Sequence, residues 1–349
     1  MTIFAPKRRA NIKESFSDYY SVSTDIKIEF LSSFDQNDLL LFMGPIRLWL
    51  ANFFLRRNLK KVLSEQEFDL IYTRTSALLS ALLKAETPVI IELHTLPRRN
   101  KSSFVRQCNQ CKKIVCLTSL MRNELVSWGV KDSRVIVEGD AVDLAQFNKE
   151  FRSDVWRNAQ GIPSDIPVIG YAGQLESMGL SKGVDVLLEA LNILMEKGID
   201  FHALIAGGPN SVRDKFRSSL SDALLSRAHF IGILPREDVS SMLSSCDVLV
   251  YPAPRSSHPF YQRDTSPMKV FEYMAAGKPI VCAELPPLRD VVNEDMVNFF
   301  IPGDSYNLAD VIANVISNQE DVQEQVQKAK DYVSNHTWKK RMGRILSYL

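Results

Sequence analysis

The chain has 349 residues, 45% of them hydrophobic and 24% charged, with a formal net charge of +1. That is enough apolar material for two domains with cores of their own, and it excludes a disordered tail. Five cysteines in so long a chain exclude a disulfide framework, and no apolar run approaches the roughly 20 residues of a membrane span. The amino terminus has no signal-peptide core, so a cytoplasmic protein is expected, with peripheral association at the inner face of a membrane left open.

Taken in order, strands are expected near Thr2–Ala5, Ile26–Leu31, Leu70–Thr73, Val89–Leu93, Lys113–Leu117 and Arg134–Glu138. A second set follows near Val168–Ala172, Ala203–Ala206, Ala228–Ile231, Val248–Tyr251, Ile280–Cys282 and Asn298–Ile301. Helical segments alternate with them, which is the pattern of a parallel sheet covered on both faces. The expected fold class is α/β, with two doubly wound Rossmann-like domains facing a central cleft. The stretch 158–167, rich in Gly and Pro, is the expected hinge, and the last helices are expected over Leu308–Gln319, Val322–Ser334 and Trp338–Leu349. Domain bounds of 1–160 and 161–325 follow, with 326–349 as terminal helices.

The net charge hides an asymmetry: residues 1–163 hold 24 Lys and Arg against 18 Asp and Glu, and residues 164–349 hold 18 against 23. An anionic partner for the first half is expected. Between Pro45 and Leu63 a helix is expected whose Leu48, Leu55, Leu59 and Val62 share one stripe toward the core. Trp49, Phe53 and Phe54 fall on the same broad face as Arg56, Arg57 and Lys60, which suits a helix in the headgroup layer of an anionic membrane. The alternative is that another element covers the aromatics and the basic residues are a solvated rim. Nucleic acid is not an expected partner, since neither a binding motif nor a basic stripe is present. Cys108 and Cys111 form a Cys-x-x-Cys pair without a second pair at zinc spacing, so ordinary reduced thiols and no metal are expected.

The most informative stretch is 264–281, which sets Asp264 and Glu272 eight residues apart around a helix start. Ser266 is a good N-cap and Pro267 suits a first turn, so the helix should run from about Met268 to Ala276 and stop at Gly277. The N–H groups of Met268 and Lys269, at the positive end of the helix dipole, make a seat for a diphosphate. Glu272 is placed to accept hydrogen bonds from vicinal hydroxyls such as those of a ribose, and Asp264 to reach the other side of the phosphate. The alternative is a plain helix start and stop with no ligand. Lys182, just before the helix start at 183–185, brings a cation and a helix N-terminus to one phosphate.

This run resembles the signature of the retaining GT-B glycosyltransferases grouped as family 4. Residues 169–173, 181–185, 203–208, 230–232 and 246–252 resemble that family too, so the likeness covers most of the chain after about Pro167. Residues 68–74, 88–94 and 139–147 match more loosely. The resemblance implies a GT-B enzyme that moves a sugar from a nucleoside-diphosphate sugar, UDP- or GDP-linked, to a hydroxyl of a glycan or lipid-linked acceptor with retention. It implies synthesis of envelope polysaccharide or glycolipid.

By the same likeness Lys182 neutralises the leaving diphosphate, Asp264 holds donor-sugar hydroxyls, and Glu272 grips the ribose. Gly173, Gln174, Gly207, Gly208 and Ser266 line the donor, and the backbone amides of Met268 and Lys269 meet the distal phosphate. His94 is implied at the reaction centre, and Arg74 is a candidate lining residue on the acceptor or donor side. The terminal helix is implied to cross back onto the first domain, with Trp338 anchoring the crossing. No Asp-x-Asp motif is present, so no metal or other cofactor is expected.

Three positions depart from the family pattern. Gln174 stands where an Arg is usual, Asp264 where a Glu is usual, and residues 5–10 lack the glycines common after the first strand. Either the site runs on one cation, or Lys269, Arg263 or another basic residue replaces the missing one, and Lys7, Arg8 and Arg9 are candidates to meet a phosphate-bearing acceptor. These departures also admit a non-catalytic glycosyltransferase-like subunit or a GT-B nucleotide-sugar epimerase.

Overall fold

The fold is that of a computed structural model, which describes residues 1–7, 26–32, 44–148, 154–177, 179–318 and 322–349, without the side chains of 44–49. Arg8, Arg9, the Trp49 and Leu48 side chains and Gln319 therefore lie outside the described residues. The chain divides into two compact units, Met1–Val115 with Leu125–Ile136, and Cys116–Glu124 with Val137–Leu349.

In the first unit β1 (Thr2–Pro6) pairs in parallel with β2 (Lys27–Leu31). A four-stranded sheet follows in the order β3 (Ile71–Thr73), β4 (Val89–Leu93), β5 (Lys113–Cys116) and β6 (Val135–Val137). The six expected strands are thus present, but in two sheets rather than one. Among the described residues β1 and β2 pair only with each other, and β1 meets the segment before β3 through an edge-to-face contact of Phe4 and Phe68, with ring centroids 5.7 Å apart. β4 is buried along its whole length, which is why it reads as a continuous apolar run interrupted only by Glu92.

Helix α1 (Gly44–Glu65) buries Ala51 and Leu59 and leaves Phe53 50% exposed beside Phe54. Arg56 donates to the carbonyl of Ala77 at 2.8 Å, so it is a structural tie rather than a member of a free basic face. Arg57, Lys60 and Lys61 remain exposed.

The second unit carries a six-stranded sheet in the order β11 (Ala228–Gly232), β10 (His202–Ala206), β7 (Val168–Ala172), β12 (Val248–Tyr251), β13 (Ile280–Ala283) and β14 (Asn298–Phe300). Every neighbouring pair in it is parallel. Its central strands β7, β12 and β13 are buried along their whole length, as expected of a parallel sheet covered on both faces, while the outer strands β10, β11 and β14 carry His202, His229 and Asn298. A short hairpin, β8 (Glu176–Ser177) with β9 (Leu180–Ser181), follows β7. Helix α2 (Val184–Glu196) buries Val184, Leu187, Leu188, Leu191 and Leu194 at the spacing of one helical face. Each such Leu contributes on the order of 2 kcal/mol of transfer free energy. Helix α3 (Ser305–Ser317) packs against α2, and Asp304 caps it by accepting from the Asn307 N–H at 2.9 Å.

Arg157, which directly precedes the stretch expected as a hinge, ties the Ile166 end of that stretch to the segment leading into β12. Arg157 donates to the carbonyls of Ser245 at 3.0 Å and Ile166 at 2.9 Å and pairs with Asp247. The last helix, α4 (Trp338–Ser347), is held to residues 138–139 by Arg341, which donates to the Gly139 carbonyl at 2.5 Å, and by Arg344, which forks onto Glu138 at 2.7 and 2.9 Å. Trp338 is 38% exposed, so these arginines rather than the indole anchor the helix.

Candidate active site

In chain order the second sheet runs outward from β7 through β10 to β11, then resumes on the other side of β7 with β12, β13 and β14. This is the Rossmann order, and ligands of such sheets bind beyond the C-terminal strand ends where the order reverses. The reversal here lies between β7 and β12. Loops that leave these strands carry the residues singled out by the sequence.

The loops close on each other backbone to backbone. Gly173 N–H donates to the Ala206 carbonyl at 2.9 Å, and Leu175 N–H to the Gly208 carbonyl at 2.8 Å. A Cβ on Gly207, whose φ is +142°, would land on the Gly173 carbonyl, and one on Gly183 would come within 2.5 Å of the Ala253 nitrogen. Glycine is required at both positions for this approach.

Helix α5 (Met268–Ala276) begins and ends where the sequence places it, closed by Gly277 at φ +64°. Its start differs in one respect. Pro267 holds the capping position with extended backbone, and the Ser266 hydroxyl accepts from the Asp140 N–H at 2.8 Å instead of capping the helix. The Met268 and Lys269 N–H groups stand in the first turn, where no intrahelical acceptor exists.

Glu272, one turn in, is half-buried, and its carboxyl is pushed up to about 7 by burial, against the attraction of Lys269 and Arg236. Lys269 lies beside it, with its ammonium donating to the Tyr171 hydroxyl at 2.6 Å and 4.4 Å from that ring's centroid. Burial, together with the charge of Lys182, lowers Lys269 to about 7. Lys182 itself sits over the Phe260 ring at 4.1 Å, its amine pulled down by burial. Gln174 is tied to the site through its backbone, its carbonyl accepting from the Tyr171 hydroxyl at 2.5 Å.

Asp264 is 5% exposed, and both carboxylate oxygens face Arg263, at 2.6 and 3.2 Å. Arg263 also lies 3.5 Å from Glu124. The expected spare cation is therefore already engaged by the first acid, which leaves Lys269 as the basic side chain of that stretch nearest the glycine loop.

His94 and Arg74 belong to the first unit, where the structure brings them together. The Arg74 guanidinium donates to His94 Nδ1 at 3.1 Å, which puts the imidazole proton on Nε2, facing Glu92 Oε1 at 2.6 Å. Tyr72 also bonds Glu92. Glu92 and Tyr72 escaped sequence reasoning. The available signal was a lone carboxylate in an apolar strand, two residues before His94 and so on the same face of the strand.

All five cysteines are buried, and desolvation raises Cys111 to about 11 and Cys116 and Cys246 to about 12. A cavity of about 590 Å³ beyond β12 to β14, bordered by Arg255, Ser256, Glu284 and Ile301, includes none of the residues expected from the sequence.

Two Rossmann-like α/β domains with parallel sheets define the GT-B fold. The chain belongs to the glycosyl transferases group 1 family, which matches residues 152–332, and a Glycosyltransferase Family 4 domain matches residues 34–146. Among curated relatives, a D-inositol 3-phosphate glycosyltransferase of Corynebacterium urealyticum is 27% identical over 216 residues, 59% of this chain and 48% of the relative. The amylovoran biosynthesis glycosyltransferase AmsK of Erwinia amylovora is 21% identical over 225 residues, 64% of this chain and 52% of that protein. The chain thus spans about half the length of these relatives. Among solved structures, HepE of Anabaena in complex with UDP superposes with a TM-score of 0.70 at 19% identity, covering 93% of this chain and 86% of the other. No helix among the described residues is long and apolar enough to cross a membrane.

Proposed function

We propose that the protein is a retaining glycosyltransferase that moves a sugar from a nucleoside-diphosphate sugar to an acceptor hydroxyl in the synthesis of envelope polysaccharide or glycolipid. The observation that carries this reading is the convergence, at the reversal between β7 and β12, of Lys182, the free N-terminus of α5 and the Glu272 carboxylate around a glycine-closed loop pair. The donor is taken to be a UDP- or GDP-sugar, in line with the UDP bound to HepE. The names of the two curated relatives point to glycan and inositol-phosphate acceptors.

Leaving-group stabilisation is the chemistry these groups can supply. As the bond from the anomeric carbon to the diphosphate oxygen lengthens, negative charge grows on the distal phosphate. The Met268 and Lys269 N–H groups and the Lys182 ammonium meet that charge, and being held in place beforehand they need no reorganisation. Glu272 takes the ribose hydroxyls. Gln174, Gly173, Gly207 and Gly208 let the backbone close on the donor, and Ser266, engaged with Asp140, fixes the entry to α5. Asp264 reaches donor-sugar hydroxyls only with its free lone pairs, since Arg263 holds the carboxylate. In the first unit His94 is the residue proposed to hydrogen-bond the sugar; since Glu92 holds its Nε2 and Arg74 its Nδ1, this requires the exposed Arg74 to give up Nδ1 to the donor. None of these steps calls on a metal.

A second reading, a non-catalytic glycosyltransferase-like subunit, is favoured by the capture of Asp264 by Arg263. Thermal melting with UDP, GDP, ADP and dTDP and their sugars, with Glu272→Ala alongside, separates the two, because a ligand of the native state raises apparent stability. A selective upward shift lost in the variant, with donor hydrolysis in the absence of acceptor, supports the enzyme. Absence of any shift refutes the donor site. Association with an anionic surface through exposed Phe53, Arg57 and Lys60 is also proposed. It is refuted if the protein does not float with vesicles rich in phosphatidylglycerol at low salt.

A further inference from the structure

The loops that leave β12, β13 and β14 surround a cavity of about 590 Å³, a volume in the range of small-ligand sites. Lys182, Met268, Lys269 and Glu272 do not border it. Its walls are fastened backbone to backbone. Gly303 N–H, at φ +77°, donates to the Ala253 carbonyl at 3.0 Å, and a Cβ on this glycine would come within 2.5 Å of the Arg255 nitrogen. Glu284 N–H donates to the Phe300 carbonyl at 2.9 Å, so the three loops hold their places before any ligand arrives.

Two charged residues border the cavity, Arg255 and Glu284, and they do not pair with each other. Arg157, Arg227, Arg263 and Arg289 of the same unit each meet a carboxylate, whereas among the described residues none lies within 4 Å of Arg255. Glu284 is held by Arg289, which donates to Oε1 at 2.5 Å and sits 4.1 Å from the Phe299 ring centroid, and its Oε2 is left to accept from a ligand. Gln262 donates to the Ser256 carbonyl at 2.7 Å, which leaves its amide oxygen as an acceptor. Ile301, 57% exposed, and Pro286 supply an apolar wall.

These groups select a ligand class. A guanidinium takes a carboxylate or phosphate through two parallel hydrogen bonds, and a fixed carboxylate and an amide oxygen accept from hydroxyls. No aromatic ring borders the cavity among the described residues, so a nucleobase finds nothing to stack on, and Glu284 repels a ligand with several phosphates. A sugar with one acidic substituent meets every condition, with its anion on Arg255, its hydroxyls on Glu284 and Gln262, and a C–H face on Ile301. We propose that the cavity is a carbohydrate site apart from the donor site, which takes a sugar unit bearing one carboxylate or phosphate and so holds an acidic glycan. This goes beyond the reading above and does not depend on it. The segment that borders the cavity also reaches the donor loop, since the Phe260 ring lies 4.1 Å from the Lys182 ammonium and the Tyr261 hydroxyl donates to the Ser181 carbonyl.

The test is saturation-transfer NMR titration of the full chain with methyl α-glucuronide, glucose 6-phosphate and neutral methyl α-glucoside, with and without UDP, and with inorganic phosphate as a competitor. At least one charged sugar should bind about tenfold more tightly than the neutral one, the effect of one charge-assisted pair, and UDP should not displace it. Preference for the glucuronide or for the sugar phosphate identifies the anion. In Arg255→Ala, whose side chain has no carboxylate partner to lose, the melting temperature should hold while the tenfold preference disappears, and Arg255→Lys should restore part of it. Equal binding of charged and neutral sugars, no binding of either charged sugar, a preference that survives in Arg255→Ala, or displacement by UDP overturns the proposal. So does phosphate that competes as strongly as glucose 6-phosphate binds, which leaves an anion site without sugar recognition. Failure of UDP to bind refutes the donor site and leaves this proposal to be decided by the sugar titrations.

Discussion

Replacing Glu272 by Gln should make the free protein more stable at alkaline pH while weakening nucleotide binding. In the fold the carboxyl is held at about 7, against an ordinary value of 4.5 in the unfolded chain. Between those values the native state keeps a proton that the unfolded state has lost, so stability falls as pH rises from 4.5 to 7 and stays low above. The difference amounts to about 3 kcal/mol once both states are ionised. Gln keeps the volume and the hydrogen-bonding groups but carries no charge, so the variant should escape this cost. Lys269, largely neutral above pH 7, loses little by the change. Urea denaturation at pH 4.5, 7 and 8.5, followed by a signal from the second unit, measures it. The variant should match the native protein at pH 4.5 and exceed it by up to about 3 kcal/mol at pH 8.5. A variant that is no more stable than the native protein at pH 8.5 refutes the burial of an ionisable carboxyl at this site.

Gly207→Ala places a methyl on the Gly173 carbonyl in a backbone conformation that L-residues avoid. A loss of about 2 to 4 kcal/mol in denaturation, together with loss of UDP binding, is expected. Arg263→Ala strips Asp264 of the guanidinium that meets both its oxygens and should cost about 3 kcal/mol, as for other broken buried pairs. An unchanged urea midpoint counts against that pairing. Maleimide should label none of the five cysteines in the native protein within the time that it labels all of them in urea, since each is buried and the raised thiols hold their protons. Fast labelling of any one thiol in the native protein contradicts that burial.

What the sequence made legible follows from local rules with strong physics. Helix α5 is readable to its end residues because Pro267 favours a start there and Gly277 can enter the left-handed region that stops it. The strands of the second unit are readable because a doubly covered parallel sheet needs unbroken apolar runs. Side-chain partnerships are not local in this sense. Ser266 looks like a cap because the four-residue pattern around it is a cap pattern, yet its hydroxyl is claimed by Asp140, 126 residues away. Asp264 and Arg263 are adjacent, but whether neighbouring side chains meet depends on the turn Phe260–Asp264 that aims them both inward. The separation of β1 and β2 from the four-stranded sheet is invisible for the same reason, since strand patterning states which residues are buried and not which edges pair.

The Lys269–Glu272 pair shows why burial alone does not account for the site. Below pH 7 the charged lysine is penalised relative to the unfolded chain, and above pH 7 the charged carboxylate is, so no pH between 4.5 and 10.5 frees the fold from both. Two apolar side chains of the same volume would fill the space without that penalty. The same region also holds Gly173 and Gly207 at positive φ and two lysines in one patch. Departures from the rules for a stable core are thus gathered at the C-terminal ends of β7, β10 and β12, while α2 and α3, packed on each other, follow those rules. Such concentration is expected of a surface shaped for a charged ligand, because only the bound state returns the free energy that the empty one gives up.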